Sequence, residues 1–199
     1  MKSEDKHILI ERYARGREDS LIESYIENGP TQLREELGLT EENWSKVFDH
    51  LVFEHNLLYK AVTHSADFFL ETFIEHGTTH VRDILNIADS KYDAHWELLF
   101  DFIAISKDGL YYHVLEHRDR YMMAFKVRGG DFVRKVLGLW KDKYDENWLK
   151  ILNVLLHAVC DSIFTENTFD HSLRAFSLLI NGMRVHRVIG KIDGSPDLL

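Results

Sequence analysis

Two stretches of the chain, residues 77–96 (GTTHVRDILNIADSKYDAHW) and residues 129–148 (GGDFVRKVLGLWKDKYDENW), carry the same framework 52 positions apart. The opening glycine, an arginine (Arg82, Arg134), a leucine (Leu85, Leu137), a Tyr-Asp pair (Tyr92 and Asp93, Tyr144 and Asp145) and the closing tryptophan all recur. Self-similarity at a fixed period of this size is the mark of a repeat architecture, and it restricts the fold more than any composition does. The signature occurs four times, opening at Gly29, Gly77, Gly129 and Gly182, at intervals of 48, 52 and 53 residues. An arginine stands five residues after each glycine: Arg34, Arg82, Arg134 and Arg187. A carboxylate stands three residues before each tryptophan: Glu41, Asp93 and Asp145. The first interval is short because the stretch 39–44 is four residues tighter than the stretch 87–96.

The segments before the glycines align as well. A small residue lies five before each glycine (Ser24, Thr72, Ala124, Ser177) and a large apolar one four before it (Tyr25, Phe73, Phe125, Leu178). A repeated small-and-large pair suits a helix in close contact with a neighbour, and the glycine suits a left-handed stop at its end. One copy is then three or four short helices, drawn for the second copy at 57–64, 66–76, 78–86 and 92–105. The last has Trp96, Leu99, Phe100 and Ile103 at helical spacing, and Ser90 with Asp93 is placed as a capping box at its start. Such a copy cannot bury its apolar faces alone, so copies must stack. The expected fold is all-α: one domain over 1–199, an α-solenoid of units at about 5–54, 55–106, 107–158 and 159–199, with 1–12 and 188–199 as caps.

Residues 56–77, NLLYKAVTHSADFFLETFIEHG, resemble the helix pair of an ankyrin repeat. Leu58, Tyr59, Ala61 and Val62 stand where that family has PLHxAA, and FIEHG stands where it has LLxxG. Residues 109–130 are similar. The family's TP dipeptide is missing and the period is longer than its roughly 33 residues, so HEAT- or armadillo-like stacking describes the pattern equally well. The resemblance implies a module that binds other proteins.

Composition bears on partners and compartment. Two prolines and eleven glycines in 199 residues favour long helical content. A net charge of −9 argues against nucleic-acid binding, which depends on a surplus of Lys and Arg, and points to a protein partner with basic character. The single cysteine, Cys160, fits a reducing compartment. The N-terminal MKSEDKHILIERYARGRED has no apolar run of signal-peptide length, and no stretch reaches the roughly 20 apolar residues of a membrane span. A cytoplasmic protein without membrane contact is expected, and the sequon at Asn43 is read as chance.

The sharpest chemical motif is His113-Val-Leu-Glu116-His117. HxxEH on one helix places two zinc-ligating histidines and a water-activating glutamate on a shared face, with Glu146 or Glu166 downstream as a third ligand. Against it, His113 and His117 replace Ala61 and Ser65 in an otherwise structural copy. His76 and His80 flank the break at Gly77, and His157, Cys160 and Asp161 have no usual ligand spacing. The arginine series is read as repeated ion pairs to Asp93 and Asp145, because framework positions repeat while ligand contacts vary. Breaking a buried pair of this kind from one side costs about 3–5 kcal/mol. Trp44, Trp96 and Trp148 are assigned to the core. Trp140 stands outside the repeat, where the second copy has Ala88. The expected function is a protein-interaction module without catalysis or cofactor. Its binding surface lies on the third copy: Trp140 as anchor, with His113, His117 and Lys126 as polar neighbours. The alternatives are a metal-dependent hydrolase built on the HxxEH motif and an acidic mimic of nucleic-acid charge.

Overall fold

The computed structural model describes residues 5–166, with side chains described as far as residue 160. The fourth copy, with Gly182 and Arg187, and the C-terminal cap lie outside the described residues, as does the side chain of Glu166. The described residues form ten α-helices and no strand. The helices are α1 (Lys6–Leu9), α2 (Glu18–Glu36), α3 (Glu41–His55), α4 (Leu57–His64), α5 (Ala66–Ile84), α6 (Asp93–Phe100), α7 (Gly109–Glu116), α8 (Arg118–Arg128), α9 (Gly130–Val136) and α10 (Asp145–Glu166). Wider π-turns follow α1 and α6, over Ile10–Ala14 and Asp101–Ser106. No described helix is long and apolar enough to cross a membrane.

The glycines that open the recurring stretches are alike in the backbone. Gly29, Gly77 and Gly129 share one conformation, with φ of 79°, 76° and 82° and ψ of 172°, −169° and 174°. Positive φ was expected, but this ψ is far from the left-handed helix. The chain bends at the glycine and resumes helix at once, so the expected helix end is a kink in copies one and two. A side chain is strongly disfavoured in this region, which is why glycine recurs. Pro30 fits after Gly29 because the first turn of a restarting helix requires no N–H from it.

The left-handed residues sit nine positions further on, at Gly38, Asn86 and Gly138. There the N–H groups of Leu39, Ile87 and Leu139 donate to the carbonyls of Arg34, Arg82 and Arg134, and those of Gly38, Asn86 and Gly138 to Glu35, Asp83 and Lys135. These paired bonds form a Schellman stop, and the apolar residue that follows it is buried in each of the three described copies. The next helix is entered differently from copy to copy. Thr40 caps α3 by accepting from Asn43 N–H. Ahead of α6 a single 3₁₀ turn, Ser90–Tyr92, intervenes; Asp89 caps that turn by accepting from Lys91 N–H, and α6 itself has no side-chain cap, so the expected Ser90 capping box is not formed.

Two compact units are formed, one ending at His113 and one starting at Val114. In the first, α3 packs on α1, α2 and α4, and α4 also packs on α2, α5 and α6. The core holds Tyr25, Phe48, Leu51, Leu58, Phe73 and Leu99, all nearly solvent-free. Each such side chain adds about 1.5–3 kcal/mol by leaving water. Copies one and two also meet through polar groups. Tyr25 Oη donates to the Leu85 carbonyl at 3.0 Å, and Asp49 accepts from Tyr92 Oη at 2.5 Å and from Lys91 Nζ at 2.8 Å. In the second unit α8 packs on α9 and α10, around Phe125, Val133, Trp148 and Leu155. Trp44, Trp96 and Trp148 are all buried, as their place in the repeat requires.

Candidate functional site

The repeated arginines are occupied by the framework. Arg82 donates through Nε and Nη2 to the Ile87 carbonyl, at 3.1 and 3.0 Å, and through Nη2 to Asp93 at 2.7 Å. Arg134 repeats the arrangement on the Leu139 carbonyl and Asp145, and Arg34 pairs with Glu41. The three carboxylates are the first residues of α3, α6 and α10, where an acid also suits the helix dipole. Each arginine therefore clamps a Schellman stop to the start of the next helix. The guanidinium of Arg82 also lies over the Trp96 ring, 5.9 Å from its centroid.

The HxxEH residues do not share a continuous helix. α7 ends at Glu116, and His117 has non-helical backbone (φ −105°, ψ 28°) as it enters α8. His113 is enclosed, with only 6% of its surface exposed. Its Nδ1–H donates to the Ile74 carbonyl at 2.6 Å, and its ring lies against Phe73 and Gly77. A Cβ on Gly77 would stand 3.2 Å from His113 Cε1 and Nε2, so the imidazole occupies the notch that glycine leaves. His113 is thus a buried packing residue of the first unit, not the polar surface residue that was expected. Lys126 and His117 are partly buried. Trp140 is 64% exposed in the turn after α9, with Lys141 Nζ 5.1 Å from its ring centroid. The His76 and His80 rings meet edge-on across the Gly77 kink, with centroids 4.5 Å apart.

A different cluster has the composition of a metal centre. One ring nitrogen each from His50 and His55 and one carboxylate oxygen of Glu18 lie within 4.8 Å of one another. The histidines come from the last turns of α3 and Glu18 is the first residue of α2. Helix ends place them there: α3 stops at Asn56, which takes the left-handed conformation (φ 56°), and α2 starts just after the positive-φ Gly16. His50 is 7% exposed, and neither ring nitrogen has a hydrogen bond. Its Nδ1 is 3.3 Å from the Glu54 carboxylate but out of line for one. A buried polar group without a partner costs about 1–3 kcal/mol. The His55 ring meets the His50 ring edge-on at 4.8 Å. Backbone N–H donation, from Glu18 itself first and from Gly16, outweighs desolvation and holds the Glu18 carboxyl below its usual pKa; His55 and His50 pull it the same way. Among the described residues this is the one grouping of three potential ligand side chains at such separations.

Sequence reasoning passed over these three residues. The histidines are five apart and Glu18 lies 32 residues upstream of His50, a spacing that matches no ligand motif. The usable signal is the helix boundary: two histidines in the last turns of a helix, where cations are favoured. Comparison with protein-family profiles, with curated proteins and with solved structures found no match.

Proposed function

We propose that the chain is an interaction module, built as an α-solenoid of helical repeats, that binds another protein through a surface centred on Trp140. The observation that carries this reading is the contrast among the tryptophans. The three in the repeat framework are buried, whereas Trp140 leaves 64% of its surface in water. Its counterpart Ala88 is also exposed, so the fold makes no demand for a large ring there. Exposed tryptophan is a frequent anchor of protein interfaces. Val136, the last residue of α9, is also exposed, at 53%. Packing between copies one and two in the first unit, and the likeness of residues 56–77 to an ankyrin helix pair, support a stacked repeat. The net charge of −9 favours a partner segment with basic residues around an apolar pocket.

The test starts by capturing a partner from the native host and purifying it. Calorimetric titration of the two proteins is then compared for the native chain and Trp140→Ala. Loss of a central tryptophan anchor removes about 2 kcal/mol or more, so affinity falls at least tenfold. Helical circular dichroism and melting temperature stay unchanged, and added salt weakens the native complex. Unchanged affinity would show that Trp140 is a bystander, and collapse of the fold would show that it is core.

A further inference from the structure

We propose that Glu18, His50 and His55 bind a divalent transition-metal ion of the zinc class, and that this ion ties the start of α2 to the end of α3. Two imidazoles and a carboxylate are a ligand set that zinc accepts, with a fourth position left for water or a further side chain. The three donor atoms, within 4.8 Å of one another, need to close by about an ångström to share an ion at the roughly 2.0–2.2 Å of zinc–nitrogen and zinc–oxygen bonds. Glu18 and His55, the two partly buried ligands, are the ones that would rotate to close that gap.

Two further observations point to a cation. The first is His50 itself, buried, facing the cluster and without a hydrogen bond on either ring nitrogen. A core histidine retained only for packing would be expected to find a carbonyl, as His113 does on Ile74. The second is charge. Glu54, 3.3 Å from His50 Nδ1, brings a second carboxylate to the cluster, and two carboxylates balance the charge of a dication. The C-terminal end of α3 contributes negative potential in the same place. Hard, oxygen-loving ions such as magnesium are disfavoured by the two nitrogen donors, whereas imidazole suits zinc and its neighbours in the first transition row.

The experiment uses the full chain without an affinity tag, stripped with a chelator and titrated calorimetrically with zinc chloride. The same titration is run on Glu18→Gln and His55→Gln, which alter the more accessible ligands and leave buried His50 in place. The native chain is expected to bind one equivalent, and each variant to bind at least about tenfold more weakly, as loss of a ligand or its supporting group does elsewhere. At an excess of about 100-fold over Kd, zinc is expected to raise the melting temperature of the native chain by roughly 5 °C or more and that of the variants by much less. Imidazole ¹⁵N spectra of the native chain are recorded in parallel, so that the outcome does not depend on a variant folding. Zinc-induced shifts at His50 and His55 support the site. No binding by the native chain, full binding by both variants, or shifts confined to other histidines would overturn it.

Discussion

Replacing Arg82 by alanine separates two ways in which the repeated arginine could stabilise the chain. The guanidinium is 19% exposed and holds the Ile87 carbonyl with two nitrogens, whereas Asp93 is 61% exposed. A hydrogen bond from a charged donor is worth about 1.5–3 kcal/mol. An ion pair to a carboxylate that remains mostly in water adds under about 1 kcal/mol. Arg82→Ala should therefore cost about 2–3 kcal/mol, mainly through the carbonyl left without its clamp. That is below the 3–5 kcal/mol expected of a fully buried pair, because the structure leaves the acid exposed. For a chain of this size each kcal/mol moves the melting temperature by about 2–4 °C, so the expected fall is roughly 4–12 °C. Asp93→Asn should cost under about 1 kcal/mol. Thermal and urea unfolding of both single variants and the double variant gives the full cycle, and a coupling under about 1 kcal/mol is expected. An unchanged melting temperature in Arg82→Ala would refute the clamp. So would Asp93→Asn costing as much as Arg82→Ala, since the ion pair would then carry the effect.

Gly77→Ala and Gly129→Ala should both destabilise by about 1–3 kcal/mol, because both glycines occupy a backbone region closed to other residues. Gly77→Ala should be the worse, since its methyl group meets His113 at 3.2 Å while that of Gly129 meets nothing within 4 Å; chemical denaturation ranks them, and equal costs would disprove the close approach. Tyr25→Phe should lose about 1 kcal/mol at neutral pH with the bond to the Leu85 carbonyl. Burial raises the Tyr25 phenol pKa well above its unfolded value of about 10. A raised folded pKa contributes stability that is complete below the unfolded pKa and lost as pH rises toward the folded one. The native chain therefore loses about 1.4 kcal/mol per pH unit above pH 10 that the variant keeps, and the two stability curves should cross near pH 11. Urea unfolding from pH 7 to 11.5 checks this, and a constant difference across that range would contradict it.

The framework was legible because it is written more than once. Arg82 with Asp93 and Arg134 with Asp145 recur at one offset, and a contact that repeats in space must repeat in sequence. The helix over residues 57–64 was legible from its spacing, and α4 has those bounds. Backbone detail was not. A glycine in sequence indicates permission for positive φ but says nothing of ψ, so a kink at Gly77 reads as a stop. His113 misled because HxxEH presumes an unbroken helix, and its real partner is a carbonyl 39 residues away that leaves no mark in the sequence. Glu18, His50 and His55 meet only because two helix ends meet, a fact of tertiary structure.

The arginine clamp also decides where the chain can change length. In the first copy Leu39 and Trp44 are five residues apart, and in the second Ile87 and Trp96 are nine apart. In both, the arginine still reaches the acid that opens the next helix. The two helix ends are registered by a side chain, so the backbone between them is relieved of that task. The segment after each Schellman stop is thereby a tolerant slot in an otherwise fixed frame. Residues gained or exchanged there, as Trp140 is for Ala88, alter what the surface offers without re-registering the helices on either side.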